Sequence, residues 1–155
     1  MKIIPLPSDE PMVRLVATWL FEEFGKADPA NSVDRSIQRL KTQFVSSDDV
    51  LGTASMIRHD MNDRMDLSPW LGAVYVAPAF RGKGVASQLC KQVEQELRAL
   101  TFSKAYLFTI DRQSLYLRNG WELAQVLSIP ADGTPSEKLR TCDKVRESDR
   151  NSLNS

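Results

Sequence analysis

Leu71–Leu89 reads LGAVYVAPAFRGKGVASQL, an apolar run followed by a glycine-bearing turn and then by an amphipathic segment. After Gly84 the apolar residues Val85, Leu89, Val93, Leu97 and Leu100 recur at helical spacing, so the turn is expected to end at a helix N-terminus. Gly82 and Gly84 stand where the chain must bend sharply and come close to a ligand, which a residue without a Cβ does at least steric cost. Backbone N–H groups at a helix start, aided by the helix dipole, bind phosphate oxygens. Arg81 and Lys83 add positive charge at the same turn. The stretch is therefore read as a strand, a phosphate cradle and a helix.

The spacing narrows the ligand. A Walker loop requires Gly-x-x-x-x-Gly-Lys-Ser/Thr and a dinucleotide fingerprint requires Gly-x-Gly-x-x-Gly; neither is present. What remains, from Val76 and Pro78 through Arg81 to Gly84, Val85 and Ala86, resembles the GNAT superfamily signature V-x-P-x-x-[QR], two residues, Gly-x-[GA]. GNAT proteins are acyl-CoA-dependent N-acyltransferases. Downstream, Ser114-Leu115-Tyr116-Leu117-Arg118-Asn119-Gly120-Trp121 is similar to that family's A-x-x-[LF]-Y-x-x-x-G-[FW], whose tyrosine stands beside the CoA sulfur. Two motifs in the right order, covering about a third of the chain, carry the resemblance together.

Composition limits the alternatives. The 155 residues suit one domain with a sizeable core, expected to span 1–145 and to be followed by a mobile tail over 146–155. Twenty basic residues balance twenty acidic ones with no long block of one sign, which argues against nucleic acid as the main partner. No apolar run approaches the ~20 residues of a membrane span, and the proline-broken start, MKIIPLP, does not read as a leader, so a cytoplasmic protein is expected. Cys90 and Cys142 have no metal-ligand spacing and are read as free thiols. No metal is expected.

In chain order, a short strand over Lys2–Leu6 precedes a helix starting near Pro11, with Met12, Leu15, Val16, Trp19, Leu20 and Phe24 as its core face and Gly25 as its stop. Ser32 should cap a second helix marked by Val33, Ile37, Leu40 and Phe44. Glu22, Glu23, Asp28 and Asp34 surround the loop between these helices; solvated surface carboxylates are their default reading. A strand over Val50–Arg58, entered from a weakly marked partner, leads through the polar loop His59–Asp66 into the cradle strand, and His59 reads as an ordinary loop residue. Ala105–Ile110 should lie parallel to the cradle strand, Asp111 should cap the short helix carrying Tyr116, and Trp121–Leu127 should return as a strand. Glu137–Val145 is charged and weakly alternating, and is read as a last edge strand.

The resemblance implies an α+β / α/β fold with a mixed, mostly antiparallel sheet of six or seven strands, a parallel central pair splayed by the cofactor, and about four flanking helices. It implies acetyl-CoA as acyl donor, with Val74, Tyr75 and Val76 pairing with pantetheine through backbone groups. The pyrophosphate would lie on Gly82, Lys83, Gly84, Val85, Ala86 and Ser87, beside Arg81. The Val76 N–H is implied as donor to the thioester carbonyl. Tyr116 is the implied proton donor to the departing thiolate, since a phenol of pKa about 10 stays protonated at neutral pH. The partner would be a small-molecule or peptide amine, and a homodimer stays open. No acid lies within Leu71–Val76, so the general base is not on the cradle strand; Asp66 and Glu122 are candidates, acting through water. The family's frequent asparagine before the tyrosine is replaced by Thr109. A non-catalytic acyl-CoA-binding module and a phosphate-binding domain for another nucleotide remain as alternatives.

Overall fold

The computed structural model describes residues 1–26, 28–40, 43–46, 49–60, 64–109, 112–131 and 134–145, and from 123 onward the backbone only. Its strands are β1 (Ile3–Pro5), β2 (Gln43–Ser46), β3 (Gly52–Ile57), β4 (Trp70–Val76), β5 (Lys104–Thr109), β6 (Glu122–Ala131) and β7 (Thr134–Val145). The helices are α1 (Glu10–Leu20), α2 (Val33–Ile37), α3 (Val85–Ala99) and α4 (Gln113–Arg118). Pairing orders the strands β1-β2-β3-β4-β5-β7-β6 in a mixed sheet whose parallel pair is β4 and β5. The chain forms two compact units, one of residues 1–56 and 73–96 and one of 57–72 and 97–155.

In the first unit, β1, β2 and β3 pair antiparallel, with Ile4 opposite Val45 and Phe44 opposite Ala54. Asp9 caps α1 by accepting the Met12 N–H, and Pro11 occupies the first turn, where its missing N–H costs nothing. The face α1 buries is Val13, Val16, Ala17 and Leu20, packed with Leu40 and Val45. Leu15 and Phe24, expected in that face, are 41% and 55% exposed. The cause is a change of helical period: Phe21–Gly25 is a π-helical turn, which rotates everything after Leu20 away from the α-helical stripe. Ser32 caps α2 as expected, accepting the Arg35 N–H at 3.1 Å. That helix stops at Ile37, however, and Phe44 belongs to β2, whose four residues are all buried. A buried strand has no alternation to distinguish it from a continuing helix.

The second unit holds the parallel pair, with Trp70 opposite Tyr106 and the Tyr106 N–H donating to Pro69 O at 2.9 Å. Trp70 is fully buried, packs with Ile57, Leu67, Tyr106 and Phe108, and donates its indole N–H to Leu67 O at 2.8 Å. β7 pairs antiparallel with β5 on one side and β6 on the other. It is thus an interior strand, and β6 is the outer one, contrary to the edge reading of Glu137–Val145. Charge in a sequence marks an edge only when side-chain exposure and strand position go together, and strand order is set by long-range pairing. Leu100, expected on the buried stripe of α3, lies past the helix end and is 56% exposed; Val85, Leu89, Cys90, Val93 and Leu97 are buried. The expected tail, 146–155, and the expected cap Asp111 lie outside the described residues.

Candidate active site

β4 ends at Val76, a 3-10 turn follows at Pro78–Phe80, and the chain reaches α3 through Arg81–Gly84. Gly82 and Gly84 adopt φ of 75° and 77°, the left-handed region where a side chain is strained. A Cβ at either position would meet nothing within 4 Å. The protein itself does not crowd these glycines, so the turn keeps a surface open at its outer side. Gln88 N–H bonds back to Gly84 O at 3.2 Å, and the N–H groups at the start of a helix ahead of that first bond have no partner within the helix. Fifteen residues of α3 stand behind them. The arrangement is what a phosphate group needs.

Two cations are fixed at the turn. Arg81 donates from Nε to Val76 O at 2.9 Å and lies over the Tyr75 ring at 5.7 Å, while Lys83 Nζ lies 5.5 Å from the centre of the Phe80 ring. Tyr75 in turn stacks against Trp19 of α1, centroid to centroid 5.4 Å. Arg81 is thereby tied both to the end of the cradle strand and to a side chain of that strand. Val74, Tyr75, Val76, Arg81, Gly82, Lys83, Gly84, Val85, Ala86 and Ser87, all named from the sequence, lie together in the first unit.

Within β4, Ala73 has φ 50°, a left-handed conformation in a residue with a Cβ. Such a residue costs of order 1 kcal/mol or more and re-aims the peptide groups after it, those of Val74 and Tyr75. Nothing in the sequence marks it, because alanine normally adopts neither bulge nor turn. Before Ala73 stands Gly72, buried against the β3–β4 loop. A Cβ here would fall 2.5 Å from Ile57 Cδ1 and 2.9 Å from Asp60 Oδ2. Burial pushes the Asp60 carboxyl up to about 6. His59, read as an ordinary loop residue, has a buried Nδ1 without a hydrogen-bond partner.

In the second unit Tyr116 is buried at the middle of α4, and its carbonyl accepts from the N–H groups of Asn119 and Trp121. Gly120, at φ 85°, ends the helix and lets Trp121 turn into the core. Thr109 is buried and its hydroxyl accepts the Arg112 N–H at 3.0 Å, so it stabilises the start of α4. The two base candidates from the sequence fare poorly. Asp66 is exposed and held by Arg64 through a two-point contact, which keeps its carboxyl below the usual range; Glu122 is exposed. Around the α1–α2 loop, Glu22 pairs with Lys26, Asp34 with Arg14, and Asp28 accepts the Ala30 N–H. These carboxylates serve the loop itself. Among the described residues no group of His, Cys, Asp and Glu gathers at metal-binding distance, and no helix is long and apolar enough to cross a membrane. Cys90 is a buried free thiol.

A mixed sheet with a glycine turn at a helix N-terminus defines the class of α/β proteins that hold phosphorylated ligands at a strand-to-helix turn. The model of the acetyltransferase (GNAT) domain matches residues 41–123, just over half of the chain. The chain belongs to the GNAT acetyltransferase family. No curated protein sequence matches it. Among solved structures, it is similar to an aminoglycoside 6'-N-acetyltransferase complexed with coenzyme A, at a TM-score of 0.72 and 14% identity, covering 94% of this chain and 97% of the other. It is similar to a ribosomal-protein-alanine N-acetyltransferase from Brucella melitensis, at 0.71 and 17%, covering 94% and 100%. It is also similar to a GNAT family acetyltransferase from Elizabethkingia anophelis with acetyl-CoA bound, at 0.64 and 16%, covering 94% and 97%. At these identities the likeness concerns the fold.

Proposed function

We propose that this protein transfers the acetyl group of acetyl-CoA to a primary amine of a small molecule or peptide. The observation that carries the reading is the cradle: two glycines in left-handed conformation with open space where their side chains would be, at the start of α3 and flanked by Arg81 and Lys83. Gly82 to Ser87 would hold the pyrophosphate through backbone N–H groups. Val74, Tyr75 and Val76 would pair with the pantetheine arm as an added strand. Both assignments agree with the ligands named for the neighbouring structures, coenzyme A and acetyl-CoA.

Acyl transfer from a thioester needs polarisation of the carbonyl, an unprotonated amine and a proton for the departing thiolate. A backbone N–H of the Val74–Val76 stretch would serve the first, Val76's on the family pattern. Tyr116 would supply the last, its phenol being protonated at neutral pH. Titration calorimetry with acetyl-CoA, CoA and ATP tests the cradle, and free-thiol release across an amine library tests the transfer. Acetyl-CoA binding with a clear preference over ATP, together with thiol release for at least one amine, is expected. Binding without release for any amine would favour a non-catalytic acyl-CoA-binding module, and ATP binding at equal strength would point to another nucleotide.

A further inference from the structure

The cradle strand has no acid of its own between Leu71 and Val76, yet a carboxylate reaches that strand from outside it. The reason is Gly72. The space a residue-72 side chain would fill is taken by Ile57 Cδ1 and by the Asp60 carboxyl group, whose Oδ2 and Cγ lie 2.9 and 3.4 Å from where the Cβ would stand. The β3–β4 loop thus delivers to β4 a carboxylate in place of a side chain of the strand itself.

Its position along β4 follows from the cradle. With a pyrophosphate on Gly82–Ser87 and the pantetheine arm running back along Val76 to Val74, the thioester arrives at the end of the strand nearest Gly72. At about 3.3 Å per strand residue, Gly72 is roughly 7 Å from Val74 and 13 Å from Val76, the span of a carboxyl group and one or two waters. The neighbouring His59 has a buried Nδ1 with no partner, and such an atom calls for an ordered water.

We propose that Asp60, seated over Gly72, is the general base of the transfer and receives the acceptor's proton through water. The assignment rests on the acetyl-transfer reading above. As the nitrogen lone pair forms the new C–N bond, the nitrogen becomes acidic and its proton passes to Asp60. The C–S bond breaks with its electron pair on sulfur, which takes the phenolic proton of Tyr116. Asp60 then gives its proton to solvent, Tyr116 regains one, and the products are the amide and free CoA thiol. Asp60 suits the task because it is desolvated by Ile57 and the strand rather than locked into an ion pair. Ile57 on β3 and Gly72 on β4 carry no charge, and no hydrogen bond or ion pair to Asp60 is recorded among the described residues. Its titratable neighbours in the chain are Arg58 and His59. With a carboxyl near 6 it is ionised at neutral pH and still a stronger base than an ordinary aspartate.

The test compares wild type, Asp60→Asn, Asp60→Glu and Gly72→Ala. Thiol release from acetyl-CoA is followed from pH 5 to 9 with water alone, kanamycin and an alanine-initiated hexapeptide as acceptors, beside calorimetric Kd values for acetyl-CoA. Asp60→Asn is expected to leave the Kd unchanged, lower kcat/KM about 10²-fold and abolish the acidic limb that wild type shows near pH 6. Asp60→Glu should restore part of the rate with a displaced limb, and Gly72→Ala, which forces the carboxylate aside, should lower the rate with the Kd intact. An Asp60→Asn protein within about threefold of wild type at every pH overturns the assignment, as does a loss confined to acetyl-CoA affinity. If wild type binds acetyl-CoA but releases no thiol with any of the three acceptors, the transfer reading falls first and this assignment with it.

Discussion

The cradle and the corner formed by Gly72 and Asp60 both depend on glycine, for opposite reasons. At Gly82 and Gly84 the backbone demands glycine while the space around is empty. At Gly72 the backbone is ordinary and the space is full, with Ile57 and Asp60 inside contact distance of an added Cβ. The first kind of glycine makes room for something that is not protein. The second makes room for another part of the chain, here a carboxylate in an apolar setting. Binding is thus built from an exposed, charged turn, and chemistry is assigned to buried groups, Asp60 and Tyr116.

The largest effect that sharpens this contrast is expected at the cradle. Gly84→Glu places a side chain and a negative charge where the pyrophosphate would sit, so acetyl-CoA binding should vanish from calorimetry while circular dichroism shows a folded protein. A tight complex with the folded variant would break the cradle assignment.

Tyr116→Phe should do the reverse, leaving acetyl-CoA affinity nearly intact and lowering kcat by ~10²-fold, the lower end for general acid catalysis. The loss should appear equally in kcat and kcat/KM. Single-turnover thiol release decides it: an unchanged rate would make Tyr116 a packing residue, in keeping with its burial.

A smaller effect concerns stability against pH. The folded Asp60 carboxyl, near 6, lies above its unfolded value of 3.8, so the unfolded chain gives up this proton first as pH rises. The contribution is neutral below 3.8, becomes progressively unfavourable up to about 6 and stays so above it. Asp60→Asn should therefore raise stability by on the order of 2–3 kcal/mol at pH 8 and by almost nothing below pH 4. Urea denaturation at the two pH values measures the difference; an equal gain at both would mean the penalty is not electrostatic.

The smallest expected difference separates the two kinds of glycine directly. Gly82→Ala should cost about 1–2 kcal/mol through its left-handed φ, and Gly82→Asn less, because asparagine tolerates that region. Gly72→Ala should cost about 1–3 kcal/mol by overpacking, and Gly72→Asn no less, since its backbone places no premium on left-handed tolerance. Thermal unfolding of the four variants gives the comparison, and a Gly72→Asn protein more stable than Gly72→Ala would contradict it.

The sequence alone determined what is local. The turn between β4 and α3, the caps at Asp9 and Ser32, the stop at Gly120 and the buried stripe of α3 through Leu97 depend on residues a few positions apart, whose φ preferences and periodicity are written in order. The tertiary structure decided what depends on distant segments meeting. It put β7 between β5 and β6, because strand order comes from hydrogen bonds between residues far apart in the chain. It exposed Leu15 and Phe24, on either side of the change from α to π period. It laid Asp60 across Gly72, a pairing that neither residue announces: a loop carboxylate becomes a base only when a strand twelve residues later leaves it a place without water.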